Sequence, residues 1–407
     1  MKGAVLAVGT ELLLGDVINS NAAWLGQQLA AAGIEVVSSA AIADDHSRLV
    51  EAIRGQLREV DVLVLCGGLG PTVDDLTREA VAVACQAPLE RQPWIEDQLR
   101  AKFAAYGIDM PQMVLQQADV PAGAEVLDNP VGTAPGLWLE AAGKLVLALP
   151  GPPHELRGVA EPVWARLAKR SGTVVTTRQV LVAGLGETAV AERVQAVITV
   201  PQGVSLSYLA GGSIVRLRFT TTGDPAVLEP LVAAADEVLG DNVWGHDRDT
   251  LDGVVHALLA ARGQTVAVAE SLTGGLLGGA LTARPGSSST YRGGVVVYAT
   301  DLKQSLVGVP AEVLQEHGAV SEQTALAMAR GVRERLGADW GIGVTGVAGP
   351  EEQEGKPVGT VYVGVAGPSG EGVKALRAPG DRERVRTITV TQALDQLRRH
   401  LLGSAVG

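Results

Sequence analysis

Val266-Ala267-Val268-Ala269-Glu270-Ser271-Leu272-Thr273-Gly274-Gly275 reads as a buried strand that turns sharply into a helix. The apolar run Val266–Ala269 is the strand, and Leu276, Leu277 and Leu281 follow at helical spacing. Such a turn presents its last side chains at the carboxyl edge of a sheet, where open α/β folds bind ligands. Glycines allow close backbone approach, and a helix N-terminus adds partial positive charge. Ser271 therefore stands where a nucleophile would have an oxyanion site beside it. The plainer reading of the same residues is a Ser/Thr-rich cap with no chemistry.

Working outward, residues 246 to 407 read as one α/β domain. Leu251–Ala261 is a helix. Gly293–Ala299 is a Val-rich strand expected to deliver Tyr298, Thr300, Asp301 and Lys303. Ser321 caps a helix running to about Leu336. Gly341–Thr345 is a second strand ending in glycines, at Thr345-Gly346-Val347-Ala348-Gly349-Pro350. Val358–Ala366 and Gly372–Arg377 form a hairpin, and Gly380-Asp381-Arg382 opens the last helix. A helix and a return strand fit between Ser271 and Lys303, so the two can be neighbours. A Ser–Lys pair is an activated nucleophile only if the lysine is neutral. Burial or a nearby Arg would supply that shift. Otherwise Lys303 is a solvated loop lysine, since lysine is seldom fully buried.

Residues 1 to 165 repeat the strand-then-glycine logic. Ala4–Val8, Ile34–Val37 and Val62–Cys66 are strands, with helices after the cap Asn19-Ser20-Asn21 and around Leu49, Ile53 and Leu57. This alternation predicts a doubly wound parallel sheet. The third strand ends in Gly67-Gly68-Leu69-Gly70-Pro71-Thr72-Val73-Asp74-Asp75-Leu76-Thr77. Paired acids beside an anion cradle suit a cation bridging them to phosphate. Alternatively Asp74, Asp75 and Thr77 merely cap the helix Arg78–Ala84. The first strand ends in Gly9-Thr10-Glu11, and the second leads to Asp44-Asp45-His46, so three strands send polar groups to one edge.

Residues 166 to 245 read as a small α+β connector. It comprises Val174–Ala183, a Gly184-Leu185-Gly186 turn, a helix Glu187–Val197, and a hairpin of Val204–Leu209 with Ile214–Thr220 about Gly211-Gly212. Composition narrows the function. Net charge is −12, with Asp+Glu 45 against Lys+Arg 33, which opposes general nucleic-acid or anionic-membrane binding. Cys66 and Cys85 are the only cysteines in the sequence, which is no disulfide framework, and the six histidines are scattered without zinc spacing. No apolar run approaches a membrane span, and Met1 leads straight into a strand without a signal peptide. A cytoplasmic location is expected.

Three groups of strings carry a family resemblance. Gly67–Ala80 resembles the molybdopterin-binding fold. Gly9–Gly15, Gly67–Asp75 and Leu149-Pro150-Gly151-Pro152-Pro153 look like the amino-terminal half of the CinA family. Ala269-Glu270-Ser271-x-Thr273-Gly274-Gly275, Tyr298-Ala299-Thr300-x-x-Lys303, Gly318–Ser321, Thr345-Gly346-x-Ala348-Gly349-Pro350, Lys356–Val361 and Gly380-Asp381-Arg382 look like the nicotinamide mononucleotide deamidases that form its carboxyl-terminal half. The connector is similar to that family's KH-like middle domain. Leu272 departs from the pattern, standing where cysteine is common, and Thr345 stands where serine also occurs.

The resemblance implies two activities. In the last domain Ser271 and Lys303 would be catalytic, with Thr273, Gly274, Gly275, Tyr298, Thr345, Gly346, Gly349 and Arg382 binding nicotinamide mononucleotide, and no cofactor. In the first, a divalent metal such as Mg²⁺ and potassium would support hydrolysis of ADP-ribose. Thr10, Glu11, Asn19, Gly67, Gly68, Gly70, Thr72, Thr77, Pro150 and Gly151 would bind it, with Asp44 (or Asp45), Asp74 and Asp75 at the metal. A homodimer is expected. The connector, with the acidic Glu187 in a poor match to a Gly-x-x-Gly loop, fits a spacer or dimerisation element better than RNA binding. The rival reading is a pterin- or nucleotide-binding protein whose first domain cleaves nothing.

Overall fold

The computed structural model describes residues 1–211 and 213–403. It divides into two compact units, Met1–Thr176 and Thr177–Gly407.

The first unit is a six-stranded sheet in the order Glu35–Ile42, Lys2–Val8, Val62–Cys66, Lys144–Leu149, Gly136–Ala141, Glu125–Leu127. Four strands are parallel, and the last two join antiparallel. Strand side chains alternate between faces. Ala4, Leu6 and Val8 pack with Leu49 and Ile53 of the helix His46–Glu59, while Val5 and Ala7 pack with Leu25 and Leu29 of the helix Ser20–Ala31. Both faces are covered, which is why Val62–Cys66 is buried throughout. Chain order reverses between Lys2–Val8 and Val62–Cys66, so their carboxyl ends flank a topological switch point. The helix Pro93–Ala105 and the short pair Leu89–Arg91 with Asp119–Pro121 had no counterpart in the sequence reading. Strands of three residues are too short to show a period.

The second unit holds two sheets. One runs Val204–Gly211, Ile214–Thr221, Thr176–Ala183, Val243–His246. The expected hairpin forms, though Gly212 of its turn lies outside the described residues. Val190 and Val194 of the helix Glu187–Gln195, and Leu231 and Val232 of Leu228–Leu239, pack with Phe219 beneath this sheet. The other sheet runs Tyr291–Val296, Val266–Glu270, Trp340–Gly346, Thr360–Gly367, Gly370–Arg377. The first three strands are parallel, and the expected hairpin extends the sheet antiparallel. The helices Leu251–Arg262 and Arg382–Leu402 cover one face, and Met328 and Val332 of Glu322–Leu336 cover the other.

One element differs from expectation where it matters. The strand predicted over Gly293–Ala299 stops at Val296, and Thr300–Val307 is a helix. Lys303 therefore reaches the sheet edge from a helix, not from a neighbouring strand. Among the described residues, no helix is long and apolar enough to cross a membrane.

Candidate functional sites

In the first unit a cavity of about 240 Å³ opens at the switch point. Its floor is where the strands ending at Val8 and Cys66 stop, followed by Gly9 and by Gly67 and Gly68. Gly67 and Gly68 have φ of +100° and +66°, which glycine adopts without strain. A Cβ at Gly67 would overlap the Val8 carbonyl, and one at Gly68 the Thr77 hydroxyl. Glu11, Asn19, Asp44, Asp74, Asp75 and Gly151 line the cavity with them.

Thr10, Gly70, Thr72, Thr77 and Pro150, also expected at this site, do not line it. Several act one step back. The Thr10 N–H and hydroxyl donate to Asp44 at 2.8 and 2.9 Å. The Thr77 hydroxyl donates to the Gly67 carbonyl at 2.8 Å. Gly70 and Thr72 N–H groups donate to the two Asp75 oxygens, each at 2.8 Å, so Asp75 closes the glycine turn. Asp74 accepts from the Thr72 hydroxyl, a bond that holds its carboxyl below the usual range. The capping alternative fails: Leu76 is the N-cap of Thr77–Cys85 and no side chain caps it. Asn19 does cap its helix, accepting from Ala22 N–H at 3.0 Å.

The expected metal set needs correcting. Among the described residues, no group of three or more His, Cys, Asp or Glu stands ready to hold a metal. Asp75 is turned into its loop and Asp44 toward Thr10, so Asp44, Asp74 and Asp75 share a cavity without forming one cage. That donor set fits a Mg²⁺-like ion held by one or two carboxylates, with phosphate oxygens completing its shell. Sequence reading missed Arg78. Its guanidinium is 1% exposed and donates to the carbonyls of Leu69 and Gly70 at 2.5 and 2.8 Å, stapling the turn from behind. A lone arginine one residue into a helix gave no signal.

In the second unit a cavity of about 390 Å³ lies over the ends of Val266–Glu270 and Trp340–Gly346. Ser271, Tyr298, Lys303, Thr345, Gly346, Gly349 and Arg382 all line it. Lys303 is 2% exposed, and its Nζ is 3.3 Å from Ser271 Oγ. Nζ also donates to the carbonyls of Val297 and Tyr298 at 2.9 and 3.4 Å. Burial brings the Lys303 amine below the ordinary lysine range, partly offset by the charges of Glu354 and Asp301. At the rim, Arg382 donates to the Gly349 carbonyl at 2.7 Å and to the Tyr298 hydroxyl at 2.9 Å. The Thr345 hydroxyl donates to the Ala319 carbonyl at 2.7 Å.

Thr273, Gly274 and Gly275 do not line this cavity. The expectation that their N–H groups and the helix N-terminus face a ligand is overturned by Glu270. Its carboxylate, 2% exposed, accepts from the N–H groups of Gly275, Leu277 and Gly278 at 2.9, 3.0 and 2.7 Å. The chain fills that anion site itself. The Gly274 N–H is also engaged, donating to the Ser271 carbonyl at 3.1 Å. The turn is clamped by Arg386, whose Nε and Nη2 donate to the carbonyls of Leu272 and Thr273 at 3.0 and 2.8 Å. Arg386 had no role in the sequence reading, yet it lies one helical turn beyond Arg382, on the same face. Glu351, Glu352 and Gln353 also line the cavity unforeseen. Nearby, Glu354 accepts from Ala319 and Val320 N–H at 2.9 and 3.1 Å.

Fold and sites together define a mixed α/β protein with two clefts. One lies at the switch point of a mostly parallel sheet, and the other is built around a buried Ser–Lys pair. Comparison with known proteins agrees. Residues 4–169 match the family described as "Probable molybdopterin binding domain", and residues 248–401 match "CinA C-terminal domain". The chain is 46% identical to a CinA-like protein of Frankia casuarinae, over 99% of this chain and 97% of the relative. It is 42% identical to a CinA-like protein of Synechocystis, over 99% and 100%. A solved structure of the protein CinA with unknown function from Thermoplasma acidophilum is 34% identical, with a TM-score of 0.39, over 41% of this chain and 97% of that one. The chain belongs to the CinA family.

Proposed function

We propose that the second cleft hydrolyses a carboxamide, releasing ammonia, and that its substrate is nicotinamide mononucleotide. The observation that carries this reading is the buried Lys303 Nζ, 3.3 Å from Ser271 Oγ, with two backbone carbonyls occupying its other hydrogens. A neutral amine so held has its lone pair left for the serine proton. Ser271 Oγ attacks the carboxamide carbon, and Lys303 takes the hydroxyl proton. The tetrahedral oxyanion collapses, and Lys303 returns the proton to the leaving ammonia. Water then cleaves the acyl-enzyme ester, with Lys303 again as base, to give the carboxylic acid. For the oxyanion we assign the N–H of Leu272, which lines the cavity and has no hydrogen-bond partner among the described residues. Arg382 and Tyr298 at the rim would hold the phosphate or ring. Ser271→Ala should lower ammonia release from nicotinamide mononucleotide at least about 10³-fold, and undiminished turnover refutes the assignment.

For the first cleft we propose hydrolysis of ADP-ribose to AMP and ribose 5-phosphate, aided by a divalent ion and potassium. The glycine turn would receive the diphosphate, with metal between it and the acids. The metal would neutralise charge as water attacks. What supports this is the meeting of the Gly67–Gly68 cradle with Asp44 and Asp74 in one cavity. Incubation with ADP-ribose and Mg²⁺ should yield AMP. Intact ADP-ribose would favour the rival, a first domain that binds a nucleotide or pterin and cleaves nothing.

A further inference from the structure

A third cavity, of about 500 Å³, lies within the second unit, between the Gly184–Gly186 turn and the end of the strand Gly370–Arg377. The charged residues lining it are Lys374 and Arg377, both basic, in a chain whose net charge is −12. Among the described residues the Lys374 side chain has no ion pair or hydrogen bond, whereas Arg377, three residues on and so on the opposite face of the strand, turns to the Thr360 hydroxyl at 3.4 Å. Asp395, the acid whose charge Lys374 feels, is already held by Arg398 and Arg399 at 2.7 and 2.9 Å. Gln392 is 6% exposed, lines the same cavity, and has no side-chain partner among the described residues.

An unpaired, half-buried ammonium from the strand and an unused buried amide from the helix call for an anion rich in acceptor oxygens. Beside them, Leu185, Leu376, Pro379 and Ile388 supply an apolar wall. The volume falls in the range of small-molecule pockets and exceeds what a bare phosphate needs. None of these residues belongs to either cleft described above.

We propose that this cavity binds a phosphate-bearing mononucleotide, its phosphate held by Lys374 and the Gln392 amide and its base against Leu185 and Ile388. The wall segment Arg377–Pro379 leads within a few residues to Arg382, so the site adjoins the Ser271 cleft along the chain.

The test is methyl NMR of the full chain labelled at isoleucine, with AMP as the probe. The Ile388 methyl signal is assigned through Ile388→Val, and Ile18, which lines the first cleft, reports binding there. The Ile388 signal should move saturably with AMP, and Lys374→Gln should raise the AMP concentration needed at least about tenfold, about 1.4 kcal/mol. Gln392→Leu serves as a second variant should the first fail to fold. A stationary Ile388 signal, with or without movement at Ile18, overturns the proposal, as does unchanged affinity in a folded variant. The readout needs no turnover at either cleft.

Discussion

A serine and a lysine become chemistry only when the lysine gives up its proton. Burial drives that for Lys303, and the negative charge of Glu354 opposes it. The sign follows. With the neutral amine as base, kcat/KM for ammonia release rises with pH through the Lys303 titration, which lies below the ordinary lysine range. Removing the opposing charge lowers that titration further. Glu354→Gln should therefore move the acid limb of the pH profile to lower pH, and a limb that stays put or moves up contradicts the assignment. Lys303→Arg should not rescue activity, because a guanidinium stays charged. Glu270 acts differently. Its carboxylate is the acceptor for three N–H groups, and Glu270→Gln leaves one oxygen for them. Urea denaturation should show a loss of about 1–3 kcal/mol.

At the scale of elements, both clefts rest on a strand that ends in a tight turn fixed from behind by an arginine. Arg78 holds the carbonyls of the first turn, and Arg386 those of the second. Arg386 touches none of the proposed reacting atoms, so it is a positioning residue. Arg386→Ala frees the carbonyls of Leu272 and Thr273 and lets Ser271 drift. Steady-state kinetics should show kcat down about 10–100-fold with KM little changed, and a loss confined to KM would count against this role. Gly68→Ala places a methyl on the Thr77 hydroxyl at a φ of +66°. It should destabilise by about 1–3 kcal/mol and abolish AMP formation while leaving ammonia release intact, read from the two product assays.

For the whole molecule, each unit has its own buried cores, and the sheet that carries its cleft is covered on both faces. Residues 1–176 and 177–407, expressed apart, should each fold, the first releasing AMP from ADP-ribose and the second ammonia from nicotinamide mononucleotide. Loss of either activity on separation, with the fragment folded, would show that the clefts depend on one another. The alternation of strands and helices was legible in the sequence, as were the hairpins, the caps at Asn19 and Ser321, and the glycine turns after Cys66 and Glu270. These follow from hydrophobic period, capping chemistry and the φ range of glycine, all properties of residues close in sequence. The strand before Lys303 was read as running to Ala299 because Val297-Tyr298-Ala299 continues its apolar run, and the short helix Thr300–Val307 after it gave too few turns to show a period. Tertiary structure alone decided which polar groups are spent and which are free. Glu270 fills the anion site that the second turn was expected to offer, Asp75 closes its own loop, and Lys303, with no ion pair among the described residues, meets Ser271 and two carbonyls. A hydrogen bond is settled by whatever the fold brings within 3 Å, as when Arg386 meets Leu272 from 114 positions away, and no local pattern encodes that meeting.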